Sequence, residues 1–97
     1  MSEKNSIKEK VDELNKLAFE IRNNETQRSI TLCTEAQKLA DKIDYPEGKA
    51  TALNNEGFCH VQITNYELSL EKCFEALKIF TEIKNEKGIA LAVPFSH

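Results

Sequence analysis

The chain has 97 residues, 40% of them hydrophobic and 30% charged, with a formal net charge of -3. That length allows one small domain with a modest core, and the apolar share sets the chain apart from disordered ones. No run of lysine or arginine gathers the cations that phosphate binding requires, and no stretch approaches about 18 apolar residues, so neither nucleic acid nor a membrane is an expected partner.

The spacing predicts a first helix from about Ile7 to Arg22, opened by a capping-box pattern at Ser6 and Glu9. Val11, Leu14, Leu17, Ala18 and Ile21 recur at three- and four-residue intervals, which puts them on one face. Asn23 and Asn24 end it, and Asn24 is the expected N-cap of a second helix over Glu25 to Ile43. The apolar stripe of that helix is Ile30, Cys33, Ala36 or Gln37, Leu39, Ala40 and Ile43.

Tyr45-Pro46-Glu47-Gly48 is the break before a third helix, Glu47 to Ile63, because proline suits a first helical turn. Ala50, Leu53, Gly57, Phe58 and Val61 are expected to face inward or toward a neighbour. Gly57 inside a helix costs about 1 kcal/mol relative to alanine, so close packing of a partner helix is expected there. Thr64-Asn65 makes a short turn, and Asn65 is placed to cap a fourth helix over Tyr66 to Lys84. Its inner face is read as Leu70, Cys73, Phe74, Ala76, Leu77, Phe80 and Ile83. Glu67, Glu71 and Glu75, four apart, form a solvated stripe. Turns this short fold successive helices into antiparallel hairpins.

Two stretches match at an offset of 40 residues. Ser29, Cys33, Glu35, Ala36 and Lys38 correspond to Ser69, Cys73, Glu75, Ala76 and Lys78, and Gly48, Ala50 and Ala52 correspond to Gly88, Ala90 and Ala92. A period of this size marks stacked supersecondary units. The expected division is a single domain over 1–97, with repeat one at 7–45, repeat two at 46–85, and a third unit or capping segment beginning at 86–97. Pro94 stops that last segment after two turns, and a chain cut inside a longer protein is the preferred explanation. The Ala90–Phe95 end then offers an apolar face that a second copy could cover, giving a homo-oligomer.

Cys33, Cys59 and Cys73 are odd in number and form no CxxC pair, so buried thiols are expected and a disulfide framework is not. The N-terminal Met1-Ser2-Glu3-Lys4-Asn5 has no signal-peptide core, and a cytoplasmic location is expected. No phosphate loop, HExxH or nucleophile elbow is present. Cys59 and His60 are adjacent and point about 100° apart on a helix. Glu56 and His60 stand one turn apart, but two ligands do not hold structural zinc. The chain is therefore expected to be no enzyme, with no cofactor and no metal.

These residues resemble tetratricopeptide repeats in a long form with units near 40 residues. The unit Lys49 to Lys84 is the most similar: Leu53 precedes Gly57 by four, Tyr66 opens the second helix, and Ser69 and Ala76 supply small positions. Glu86-Lys87-Gly88-Ile89-Ala90 is similar to the family's joint between long units. Glu56 departs from the usual leucine, Thr64 from the glycine often found in the turn, and Ser69 from alanine. The resemblance implies an all-α superhelix of antiparallel hairpins. It further implies a non-catalytic protein-protein interaction module, of the kind found in regulatory or sensory regions of bacterial signalling proteins. A structural or homodimerisation segment that binds no peptide is the alternative. In this family a protein or peptide partner lies against the first helix of each unit. The matching positions here are Val11, Leu14, Asn15, Ala18 and Arg22 in one unit, and Thr51, Asn54, Asn55, Phe58 and Gln62 in the next. Asn15 and Asn55 would pair with a peptide backbone, and Phe58 would take an apolar anchor. Recognition of a terminal carboxylate would need cations beside the asparagines, and Arg22 and Lys49 are the nearest.

Overall fold

A computed structural model describes residues 2–92 of the chain. Five helices follow one another: α1 (Glu3–Ile21), α2 (Thr26–Lys42), α3 (Pro46–Gln62), α4 (Tyr66–Glu82) and α5 (Glu86–Ala92). Each packs chiefly on its neighbours in sequence, an all-α arrangement of the helical-repeat kind. Odd-numbered helices also touch one another, α1 with α3 and α3 with α5, whereas α2 and α4 do not meet among the described residues. One layer is thus drawn together and the other splayed, which curves the stack and leaves α1, α3 and α5 on its tighter side.

The helix starts differ in detail from those expected. Ser2, one turn before Ser6, is the N-cap of α1, and its Oγ accepts the Asn5 N–H at 3.2 Å. Nothing between Ser2 and Ile7 breaks a helix, so the earlier acceptor wins. The N-cap position of α2 is Glu25 rather than Asn24, with no side-chain capping bond; Arg28 pairs with the Glu25 carboxylate at 3.2 Å instead. Asn65 does hold the N-cap position of α4, but its side chain makes no capping bond. Pro46 is the first residue of α3, where its missing N–H goes unneeded.

The three later turns are one device used at 20-residue intervals. Asp44, Thr64 and Lys84 have φ of 55°, 61° and 57°. At each, the following N–H reaches back over the helix end: Tyr45 to Ala40 O, Asn65 to His60 O and Asn85 to Phe80 O, at 2.8, 2.7 and 2.9 Å. This is the Schellman closure, usually built on glycine. It reverses the chain in the same way each time, so α2, α3 and α4, all 17 residues long, stack as equal units.

Burial repeats with the sequence. Residues 29–40 and 69–80 show the same order of buried, half-buried and exposed positions. Ser29, Cys33, Ala36 and Ala40 on α2 correspond to Ser69, Cys73, Ala76 and Phe80 on α4. Val11, Leu14 and Ala18 join Cys33, Ala36, Ala40 and Ala52 in one core; Ala50, Leu53, Ala76, Phe80 and Ala92 form the second. Phe74, read from sequence as inward, is 54% exposed, because it follows Cys73 and so points about 100° away from α3. Val61 and Ile83 are likewise exposed at the helix ends. Glu67, Glu71 and Glu75 are all exposed.

Small side chains set the helix separation. A Cβ built on Gly57 would stand 2.6 Å from Cys73 Sγ and 3.3 Å from the Ser69 carbonyl oxygen. A Cβ on Gly48 would meet the Tyr45 ring at 2.6 Å and Val11 Cγ1 at 2.8 Å. These glycines therefore bring α3 against α4 and against α1.

Three outcomes follow for stability. Gly57→Ala gains about 1 kcal/mol of helix propensity but overpacks at a cost of about 1–3 kcal/mol, so net loss is expected in urea unfolding. Removing the sulfur with Cys73→Ala should make the same change less costly, which a double-mutant cycle reads directly. Thr64→Gly relieves a β-branched residue at positive φ and should raise stability by about 1 kcal/mol, less the added freedom of the unfolded chain. Burial raises the thiols of Cys33, Cys59 and Cys73, Cys33 from 9.0 to about 12. Because the unfolded thiols lose their protons first, this stability is whole below pH 9 and declines above it. Cys33 alone should contribute a slope of about 1.4 kcal/mol per pH unit between pH 9 and about 11, which Cys33→Ala removes.

Candidate functional site

The tighter side of the stack holds an open groove of about 620 Å³. Its wall is made by Asp12, Asn15, Lys16 and Phe19 of α1, Gly48, Thr51, Asn54 and Asn55 of α3, and Leu91 of α5, with Tyr45 and Phe80 below. The surface of this groove is mainly apolar. Phe19 is 53% exposed and Leu91 65%, so two large apolar side chains face solvent at its two sides.

Position in the helices explains the polar members. Asn15 lies one residue from Leu14 on the buried side of α1, and its Nδ2 donates to Gly48 O at 3.0 Å. Asn55 Nδ2 in turn donates to Asn15 O at 3.3 Å. The two amides expected to pair with a bound peptide therefore tie α1 to α3, each reaching the other helix's backbone where Gly48 lets the two helices come close. Asn15 Oδ1 is left buried with no hydrogen-bond partner among the described residues. Leu14 and Ala18 are in the core with α2, 6% and 0% exposed, and no partner on the groove side reaches them.

The remaining expected positions are more open. Thr51 and Asn54 are half-buried on the groove-facing side of α3, and Gln62 is exposed, donating to Asn23 Oδ1 at 2.8 Å. Arg22 lies between two rings, its guanidinium 3.7 Å from the Phe19 centroid and 4.8 Å from that of Phe58. It also donates to Phe19 O. Lys49 pairs with Asp41 at 2.9 Å. Both cations considered for a terminal carboxylate are thus engaged with other groups. The structure brings Asn15, Thr51, Asn54 and Asn55 together at the groove, whereas Phe58 and Arg22 are not among its lining residues.

Phe19, Tyr45, Phe80 and Leu91 were not singled out for this site. Phe19 carried a signal, since a large aromatic off the apolar stripe of a helix has no core to enter. Tyr45 is placed by its hydroxyl, which donates to Asp12 Oδ1 at 2.8 Å, and Lys8 sits over its ring. Burial and that bond to Asp12 hold its phenol above the usual range. The groove-lining charges are Asp12, Glu20 and Glu47 against Lys16, an acidic excess.

A second polar cluster lies inside the stack. Glu56 is 7% exposed and accepts from Gln37 Nε2 at 2.6 Å; His60 Nε2 is 3.0 Å away and Lys72 Nζ 3.9 Å. Glu56 and His60 do meet, but among the described residues no group of three or more histidine, cysteine or acidic side chains is arranged to hold a metal ion. No helix of the described residues is long and apolar enough to cross a membrane. The last residues of the Ala90–Phe95 end fall outside the described chain; within it, Ala90 and Leu91 are exposed and Ala92 is buried.

No protein-family model, curated protein or solved structure significantly matches this chain.

Proposed function

We propose that the chain is a tetratricopeptide-like module that binds a segment of another protein in the groove of α1, α3 and α5, with no chemistry of its own. The observation that carries this reading is the groove itself: an apolar trough between Phe19 and Leu91, on the side where the odd-numbered helices converge. Asn54 and Thr51 offer polar contacts there, and Phe19, with the Arg22 guanidinium over its ring, offers an aromatic one. Aromatic and arginine side chains of this kind dominate binding surfaces. The acidic lining favours a segment carrying lysine or arginine over a free C-terminal carboxylate, for which Arg22 and Lys49 are engaged elsewhere and Lys16 is the one cation in the described lining. The likeness of Lys49 to Lys84 to long-period repeats supports a place in the regulatory part of a bacterial cytoplasmic signalling protein.

Selection of peptides from a random library against the folded chain tests the reading. Selected peptides should be apolar with basic flanks, and should lose affinity about tenfold or more, roughly 1.4 kcal/mol, on Phe19→Ala and Asn54→Ala. Both side chains lie outside the buried core, so the variants should keep the wild-type unfolding midpoint. Binders indifferent to both substitutions, or no binders, would refute the groove as the site.

A further inference from the structure

The end of the groove where α3 begins is rich in hydrogen-bond acceptors and short of donors. Asp12 and Asn15, three residues apart, share one face of α1, with Tyr45, Glu47 and Gly48 across from them in the same lining. The Tyr45 hydroxyl donates to Asp12 Oδ1 at 2.8 Å, which leaves Asp12 Oδ2 and the phenol oxygen's own lone pairs open to a donor. Glu47 accepts from Asn85 Nδ2 at 3.2 Å through Oε2. Among the described residues neither carboxylate pairs with a lysine or arginine. Lys16, one turn after Asp12, forms no ion pair there, and Lys8, one turn before it, holds its ammonium 5.2 Å from the centre of the Tyr45 ring.

Asn15 adds an acceptor of a different kind. It is 6% exposed, and its Nδ2 is held by Gly48 O, so the amide cannot turn over without setting two oxygens against each other. Its Oδ1 is thereby fixed as a buried acceptor to which no described residue donates. A buried acceptor left in that state is destabilising, and a ligand that brings a donor relieves it.

We propose that this end of the groove seats a lysine side chain of the bound segment, its ammonium between Asp12 and Glu47 beside the Tyr45 ring and donating to Asn15 Oδ1. The seat presupposes that the groove takes a peptide segment, and no residue of α5 takes part in it. An ammonium carries three donors that can go to separate acceptors, as Asp12, Tyr45 and Asn15 require. Arginine presents a planar fork matched to both oxygens of one carboxylate, and Asp12 Oδ1 is already engaged by the Tyr45 hydroxyl. A backbone N–H would satisfy Asn15 but leave both carboxylates unmatched. The Tyr45 ring already attracts one ammonium, that of Lys8, and the apolar groove wall suits a lysine stem.

The probe is N-acetyl-lysine methylamide, titrated at constant ionic strength into the isotope-labelled 97-residue protein and followed by NMR. Saturable shifts are expected at the Asn15 side-chain amide and at the backbone amides of Asp12, Glu47 and Gly48, with a Kd of about 10 mM or below. The norleucine analogue keeps the stem without the charge and should bind about tenfold more weakly, the arginine analogue about threefold. Asp12→Asn keeps an acceptor for Tyr45 while removing the charge, so it should weaken lysine binding about threefold or more, as should Glu47→Gln. Phe19→Ala and Asn54→Ala, which decide the peptide reading, should leave lysine binding unchanged. Absence of saturation up to about 100 mM, equal binding of the norleucine analogue, or indifference to both Asp12→Asn and Glu47→Gln overturns the lysine seat. Selected peptides that still bound the groove in that case would leave the peptide reading standing.

Discussion

Helices in this chain come close because the residues between them are small, and the rest of the architecture depends on that approach. Gly57 faces Cys73, Ser29 Oγ donates to Ala18 O at 2.7 Å, and Gly48 lets Asn15 reach its carbonyl. Leu53, Val11, Phe80 and Leu14 supply the larger buried side chains, and alanine, serine and cysteine fill most of the remaining core positions among the described residues. Dense contact between near helices adds many weak dispersion contacts to that burial. A core of this kind tolerates added methyl groups poorly.

The approach is repeated because the turns are repeated. One left-handed residue at Asp44, Thr64 and Lys84 closes each helix and sends the next one back at the same angle. The sequence displayed the 40-residue period through Ser29 and Ser69, Cys33 and Cys73, and Ala36 and Ala76, and with it the helices and most of the inward stripe. The 20-residue period of the turns was hidden. Its three left-handed positions are aspartate, threonine and lysine, none of which advertises a positive φ as glycine would. Caps were hard to read for a related reason: Asn24 and Asn65 have side chains suited to capping, yet the backbone bonds of the turns already tie these ends down.

The site was legible only in part. The 40-residue offset brought Asn15 and Asn55 into view, and the resemblance to long-period repeats pointed to Thr51 and Asn54, which line the groove, and to Phe58, which does not. It did not reveal that both asparagines bond to the chain's own carbonyls, because that depends on how near α3 comes to α1. Leu14 and Ala18 show the opposite error. A helix in a stack has two contact faces, one toward its hairpin partner and one toward the next unit, and a single apolar stripe does not say which neighbour it meets. The groove's aromatic floor escaped for want of three-dimensional proximity, since Tyr45 and Phe80 come from a turn and from α4.

Glu56 ties α3 to α2. A buried carboxylate is costly, and here His60 on the same helix offsets part of that cost and Gln37 of α2 another part. With α3 shifted by one residue against α2, the same carboxylate would keep His60 but lose the bond from Gln37. Lys72 of α4 approaches the carboxylate from the other side, so the cluster spans α2, α3 and α4 and holds the two hairpins in a common register. Buried polar groups of this sort add less stability than an apolar residue would, and they penalise every mispaired alternative. α2 and α4 share Ser, Cys and Ala at matching places and both pack on α3, and the bond between Gln37 and Glu56 marks which face of α3 meets α2.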